Sequence, residues 1–81
     1  PALGPDAVDA AFDAAYLAGA LRGRRGPIKP ALLDQALVAG VGNIYAAEAL
    51  WEARVDPRVA SGALGPTRLA RVVDGVRTVL A

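Results

Sequence analysis

The segment Gly40-Val41-Gly42-Asn43 places two glycines directly before a residue type that often caps helices, and Lys29 precedes it along the chain. Glycine permits backbone conformations with positive φ and lets the main chain approach a ligand closely. Asn43 would be a favourable N-cap for a helix that follows. The N-terminus of a helix presents unpaired N–H donors and a partial positive charge, which together suit a phosphate group. These residue types predict a phosphate-binding turn, to which Lys29 adds a cation.

Charge is distributed unevenly although the formal net charge is only +1. Residues 1–20 carry three aspartates and no base, whereas residues 21–30 carry four bases and no acid. The four bases are Arg22, Arg24, Arg25 and Lys29. A local basic cluster on a nearly neutral domain indicates a site for an anion, but a solvated basic loop would have the same composition. Charge alone leaves both interpretations open.

Composition excludes several other classes of site. The chain has 81 residues, enough for one small domain, with no cysteine and no histidine. Disulfides are therefore excluded, and a zinc ion would find only carboxylate ligands. No run of about 18 apolar residues is free of charge, so no membrane span is predicted. The first residues do not have the pattern of a secretion signal, and we expect a cytoplasmic protein without a bound metal or cofactor.

The spacing of apolar residues predicts an all-α fold, a small bundle of four to five short helices. A first helix is expected to start at Gly4-Pro5-Asp6 and to continue, or to restart, through Leu21. A basic loop over residues 22–27 follows. A second helix is expected from Pro30 to Val38. The apolar residues at helical spacing in the first helix are Val8, Ala11, Phe12 and Ala15. The predicted buried face of the second helix consists of Leu32, Leu33, Ala36 and Leu37.

A third helix is predicted from Asn43 to Arg54, because proline at position 57 disfavours helix in the residue before it. Its predicted core residues are Ile44, Ala47, Leu50 and Trp51. After a connector over residues 57–65, the last helix begins at Pro66 and has the most regular apolar stripe in the chain. The stripe consists of Leu69, Val72, Val73, Val76, Val79 and Leu80. Gly75 inside this helix is expected to cost about 1 kcal/mol relative to alanine.

Three other groups have a conceivable chemical role that we do not favour. Asp34 and Glu48 could act as an acid–base pair, but Asp34 is expected to bond nearby backbone or an arginine. Tyr45 and Trp51 could stack on nucleic-acid bases, yet the position of Trp51 among apolar residues predicts a core residue. The amine of Pro1 could form a Schiff base, but we interpret Pro1 as marking the end of a fragment.

The motifs resemble the helix-two-turn-helix domain of formamidopyrimidine-DNA glycosylases and their endonuclease VIII relatives. The similarity covers nearly the whole chain. Its segments are Leu3-Gly4-Pro5, Ile28-Lys29, Leu32-Leu33-Asp34-Gln35, Ala39-Gly40-Val41-Gly42-Asn43-Ile44-Tyr45 and Glu48-Ala49-Leu50, with Pro57 and the closing helix after them.

The resemblance implies a DNA-binding module of a base-excision repair DNA glycosylase and abasic-site lyase that acts on oxidised purines such as formamidopyrimidine and 8-oxoguanine. Asn43 would hold a phosphate flanking the flipped nucleotide, and Lys29 would contact a phosphate near the damaged base. Backbone amides of Gly42, Ile44 and Tyr45 would line the same site. Arg22, Arg24 and Arg25 are possible additional contacts. The implied partner is damaged double-stranded DNA.

The chain also departs from the family pattern. Pro1 is followed by Ala2, where the family has a glutamate after its proline nucleophile, and the zinc-finger cysteines are absent. Ala47 stands where the family often has aspartate, and we assign it no role. We therefore expect residues 1–81 to be a single domain, a fragment without the catalytic and zinc-finger domains that would be its partners. On its own it would be inactive, with no catalytic residue, and it would be nucleoid-associated if bacterial. The alternative function is a helical protein-interaction or structural module.

Overall fold

A computed structural model describes residues 3–81, so the interpretation of Pro1 lies outside the described residues. The elements are α1 (Ala14–Leu21), α2 (Ile28–Leu33), α3 (Asn43–Ala53), a 3₁₀ turn (Ser61–Ala63) and α4 (Pro66–Leu80). α4 packs mainly against α3 and also touches α1, whereas α2 packs against α3. Within residues 3–81 the only β-pairings are two isolated bridges. The all-α prediction is confirmed.

The prediction of a helix starting at Gly4-Pro5-Asp6 is wrong, since helix begins only at Ala14. Carboxylates of the three aspartates accept hydrogen bonds from nearby main-chain N–H groups instead. Asp6 accepts from Val8 at 3.0 Å, Asp9 from Ala11 at 2.8 Å, and Asp13 from Tyr16 at 2.8 Å. Such local bonds compete with the helical pattern, and only the Asp13 bond caps a helix. Phe12 is buried, whereas the other residues at the predicted helical spacing, Val8, Ala11 and Ala15, are exposed.

Helix α2 is shorter than the predicted Pro30–Val38, because it ends at Leu33. The next residue, Asp34, has extended backbone and accepts a hydrogen bond from the N–H of Ala36 at 3.0 Å. This aspartate turn replaces the helical bonds that would continue α2. Leu32 and Leu37 are buried as predicted, Leu33 is only half-buried, and Ala36 is exposed.

Helix α3 turns a different face to the core from the predicted one. Leu50 is buried, but Ile44, Ala47 and Trp51 are exposed, so the prediction is wrong for these three residues. The other buried residues of the helix are Ala46, Ala49 and Ala53. This face of small side chains packs against Gly75 of α4. A β-carbon added to Gly75 would lie 2.4 Å from the carbonyl oxygen of Ala49. Gly75 therefore permits close packing of two helices and is not merely a helix-weakening residue.

The stripe predicted on α4 faces the interior. Leu69, Val72, Val73 and Val76 are buried, and Val79 and Leu80 are half-buried against the same core. These side chains pack with Phe12, which precedes α1, and with apolar residues of α1, α2 and α3. The largest of those that are fully buried are Phe12, Leu17, Leu21, Ile28, Leu32 and Leu50. The core thus fixes the position of α2 relative to α3, and the candidate site lies on these two helices.

Candidate nucleic-acid interface

The turn between α2 and α3 is held by hydrogen bonds from several directions. Gly40 has φ +93°, as its residue type predicts, and its N–H donates to the side-chain oxygen of Gln35 at 3.0 Å. Ala39 pairs with the N-terminal segment through two main-chain bonds of 2.9 Å, to Pro5 and from Ala7. The hydroxyl of Tyr16 in α1 donates to the carbonyl of Leu37. These bonds fix the direction in which α3 begins.

The start of α3 has main-chain donors that are not used inside the helix. The N-cap is Gly42, with φ −88° and ψ 172°, so the prediction that Asn43 caps the helix is wrong. Ala46 makes the first helical bond, to the carbonyl of Gly42 at 2.8 Å. Within residues 3–81 no side chain caps this end. The N–H groups of residues 43–45 can therefore donate to a ligand, and the exposed Asn43 side chain lies beside them.

Lys29 lies in a groove along α3, which we call the α3 groove. Its lining includes Lys29, Ala47, Trp51, Arg54, Asp56 and Arg58, and its volume is about 860 Å³. Asn43 is about one helical turn before Ala47 and so lies on the same face of α3. The structure therefore places Lys29 and the start of α3 on one side of the domain.

The arginine cluster faces a separate hollow. Arg24 and Arg25 line a smaller cavity of about 380 Å³ with Pro30 and Asp34. A guanidinium nitrogen of Arg24 lies 3.0 Å from a carboxylate oxygen of Asp34. This hydrogen bond, with that from the N–H of Ala36, lowers the pKa of Asp34. The prediction that Asp34 bonds backbone or an arginine is thus confirmed, and the charge of Arg24 is balanced locally.

A second ion pair lies within the α3 groove. Arg58 donates to Asp56 at 2.8 Å, and hydrogen bonds from its side chain and backbone lower the pKa of Asp56 to about 2. The pair is therefore ionised and mutually neutralised at neutral pH. Lys29 and Arg54 remain as positive charges in the groove, with Glu52 as a further acid.

Sequence reasoning missed Arg54 of this groove, and it placed Trp51, which it had weighed as a base-stacking residue, in the core. Arg54 caps the C-terminus of α3 with φ 58° and ψ 41°, a left-handed conformation that glycine usually supplies. The sequence contains one signal for this conformation of Arg54. The helix must end before Asp56-Pro57, and no glycine is present there to take the left-handed position. The spacing predicts Trp51 in the core, yet 83% of its surface is exposed.

Among residues 3–81, no three acidic side chains gather in a way that could hold a metal ion. In the same part of the chain, none of the helices has the length and apolar character needed to cross a bilayer.

Comparison with known proteins identifies close relatives. Residues 3–81 match the formamidopyrimidine-DNA glycosylase H2TH domain. Formamidopyrimidine-DNA glycosylases of Paracoccus denitrificans and Moorella thermoacetica are each 53% identical over 78 residues, which is 96% of this chain and 28% of theirs.

Solved structures give the same result. MutM (Fpg) of Thermus thermophilus matches with a TM-score of 0.90 and 41% identity, over 96% of this chain and 29% of that one. Lactococcus lactis Fpg in complex with DNA containing an abasic site matches with a TM-score of 0.87 and 36% identity, with the same coverage. The chain spans less than a third of the length of these relatives. It belongs to the family of formamidopyrimidine-DNA glycosylase H2TH domains.

Proposed function

We propose that this domain binds the phosphate backbone of damaged double-stranded DNA, within a base-excision repair glycosylase and abasic-site lyase that acts on oxidised purines. The observation that carries the proposal is the uncapped start of α3, which lies on the same side of the domain as Lys29. Lactococcus lactis Fpg has been solved with DNA containing an abasic site and with DNA containing Fapy-dG, which supports the same partner for this domain.

The proposed contacts divide between main chain and side chains. N–H groups of Gly42, Ile44 and Tyr45 donate to phosphate oxygens, the Asn43 amide donates to the same group, and Lys29 supplies the counter-charge. Arg22 and Arg25, both exposed, are further proposed contacts, with Arg24 weakened by its pairing with Asp34. Phosphate contacts fix position on the duplex without reading sequence. The domain thus holds the backbone while the lesion is rotated out of the stack, a step that costs a few kcal/mol.

The chemistry itself is proposed to lie outside this domain. We assign no catalytic residue and no cofactor to residues 1–81, which act as one domain beside a catalytic domain and a zinc finger. The site of action is the cytoplasm, on the nucleoid. Recognition of formamidopyrimidine or 8-oxoguanine is assigned to those other domains, because contacts to phosphate carry no information about the base.

The proposal is tested by titrating a labelled duplex that contains an abasic-site analogue, at several salt concentrations. Log K should fall with log[salt] by about 0.9 for each neutralised phosphate, so two to four contacts give a slope of roughly −2 to −4. Lys29→Ala should weaken binding and reduce the slope by about 0.9. Asn43→Ala should weaken binding with the slope retained.

A matched control is Arg71→Ala, which removes one positive charge from the exposed face of α4. Its affinity should stay close to that of the unmodified chain. Circular dichroism checks that every variant is folded. If neither Lys29→Ala nor Asn43→Ala changes the affinity, the turn is not the binding site.

The alternative is a protein-interaction module that uses an apolar helix face. The stripe on α4 does not serve this purpose, because Leu69, Val72, Val73 and Val76 are packed in the core. NMR discriminates the two functions. Addition of duplex DNA should shift the amide signals of Lys29 and residues 40–45, whereas an interaction module would leave these signals unchanged.

A further inference from the structure

Trp51 occupies an unusual position for the largest apolar side chain of the domain. It is the chain's one tryptophan, and 83% of its surface is exposed at the rim of the α3 groove. Ile44, two helical turns earlier on the same face, is 69% exposed. The indole is thus accessible to a ligand in the groove, about two helical turns from the start of α3.

The groove combines this aromatic surface with positive charge. Arg58 is neutralised by Asp56 at 2.8 Å, whereas Lys29 and Arg54 have no such ion pair within residues 3–81. Glu52 is the second acid of the lining, so the groove has a net charge of one positive unit. Arg54 also has a left-handed backbone conformation, which glycine adopts without strain and arginine does not. A strained residue at a groove is an observation from which a role for its side chain can be inferred.

We propose that the α3 groove binds an unpaired nucleotide of single-stranded DNA, with the base stacked on Trp51 and the adjoining phosphate on Lys29 and Arg54. A cationic groove beside an exposed aromatic side chain is the arrangement by which proteins bind single strands without sequence preference. The volume of about 860 Å³ is ample for one nucleotide. A protein surface would bury these two cations unless it supplied matching acids, so the charge favours nucleic acid.

This inference rests on the proposed function, because the groove shares Lys29 with the phosphate-binding turn. The strand held at the start of α3 would continue along the helix toward Arg54. In this proposal the domain contacts an unstacked base in the groove, in addition to the phosphates at the start of α3.

The experiment compares two DNA decamers with the same number of phosphates. One is decathymidylate, and the other has an abasic analogue at every position. Decathymidylate should bind at least about fivefold tighter, because each stacked base contributes affinity that the abasic decamer lacks. It should also quench the emission of Trp51, which reports directly on the groove since the chain has no other tryptophan.

Variants separate stacking from charge. Trp51→Ala should remove the preference for decathymidylate without changing the salt slope, and Trp51→Phe should retain most of it. Arg54→Gly should weaken the binding of both decamers and reduce the salt slope by about 0.7. The fold should be retained, because glycine adopts the left-handed conformation without strain. Arg71→Ala on α4 removes the same charge and should leave both affinities unchanged.

Equal affinity for the two decamers, with unchanged Trp51 emission, overturns the inference. If duplex binding still depends on Lys29 in that case, the proposed function stands without the groove. If the chain binds no duplex at any salt concentration, the proposed function fails instead. The two failures are therefore distinguishable from the same set of titrations.

Discussion

A guanidinium nitrogen of Arg77 donates a hydrogen bond to the carbonyl oxygen of Phe12 at 2.9 Å. The bond joins the last turn of α4 to the segment before α1. That segment also pairs with Ala39 in the turn between α2 and α3, through Pro5 and Ala7. The two ends of the described chain are thus connected to each other and, through the N-terminal segment, to the candidate site.

Arg77→Ala is expected to lower the free energy of unfolding by about 1 kcal/mol, the usual contribution of one hydrogen bond. The carbonyl of Phe12 would lose its charged donor, and the N-terminal segment would lose its tie to α4. Urea denaturation measures the loss. Arg71→Ala, in the same helix but without a side-chain hydrogen bond to residues 3–81, should stay within about 0.5 kcal/mol. Equal stability of the two variants would contradict a role for the Arg77 bond.

Gly75→Ala should destabilise the domain although alanine is the better helix former. The new β-carbon would lie 2.4 Å from the carbonyl oxygen of Ala49, so α3 and α4 would have to move apart. Overpacking of this kind costs about 1–3 kcal/mol. The control is Gly19→Ala in α1, where nothing lies within 4 Å of the new carbon. It should stabilise by about 0.4–1 kcal/mol, and thermal denaturation should show opposite shifts for the two variants.

The contact between Gly75 and Ala49 also explains why the buried face of α3 could not be predicted. Local periodicity selects the large apolar residues, Ile44 and Trp51, as the core face. The actual face consists of three alanines and Leu50, because a glycine in a distant helix permits close approach there. By contrast, α4 has large residues on one face only, and its orientation followed directly from spacing.

Aspartate had a similar effect on the helix boundaries. Asp6, Asp9 and Asp34 each accept a hydrogen bond from a main-chain N–H two residues later. A periodicity analysis counts these residues only as polar positions, although their side chains offer the backbone an alternative to helix. The predicted helices therefore extended over segments that the aspartates hold as turns.

The candidate site was only partly accessible to sequence reasoning. Residue types and the family resemblance both point to Lys29 and the glycine turn, whose contacts with DNA stay a prediction. Trp51 and Arg54 could not be placed in advance, because both depend on which face of α3 is buried and on where the helix ends. The left-handed conformation of Arg54 follows from where α3 ends, and the lack of a glycine before Asp56-Pro57 is its only signal in the sequence.

The ion pair of Asp56 and Arg58 predicts a pH dependence of stability. Folding lowers the pKa of Asp56 from 3.8 to about 2, mainly through the side-chain hydrogen bond from Arg58. The ionised carboxylate therefore stabilises the fold above pH 3.8, and this contribution is lost as pH falls through about 2. Asp56→Asn should accordingly have a lower melting temperature than the unmodified chain at pH 5, with the difference shrinking toward pH 2.

Carboxyl NMR titration of Asp56 checks the same pair directly. In Arg58→Gln the pKa of Asp56 should rise toward its usual range, because the side-chain hydrogen bond from the guanidinium of Arg58, the main cause of the lowered pKa, is removed. An unchanged pKa in this variant would mean that another group holds the carboxylate. Since both side chains are substantially exposed, added salt should weaken the effect.

Asn43→Asp should change stability and DNA binding in opposite directions. No acidic residue lies in the first turn of α3, so a carboxylate there would interact favourably with the helix dipole and stabilise by about 0.3–1 kcal/mol. The same charge would repel a phosphate at the site that we propose, and affinity for the duplex should fall. Thr67→Asp is the matched control, because it places an acid in the first turn of α4, which also has none. Both variants should melt at higher temperature, but only Asn43→Asp should lose most of its affinity for DNA; a similar loss in both would show that the effect comes from net charge and not from a phosphate bound at the start of α3.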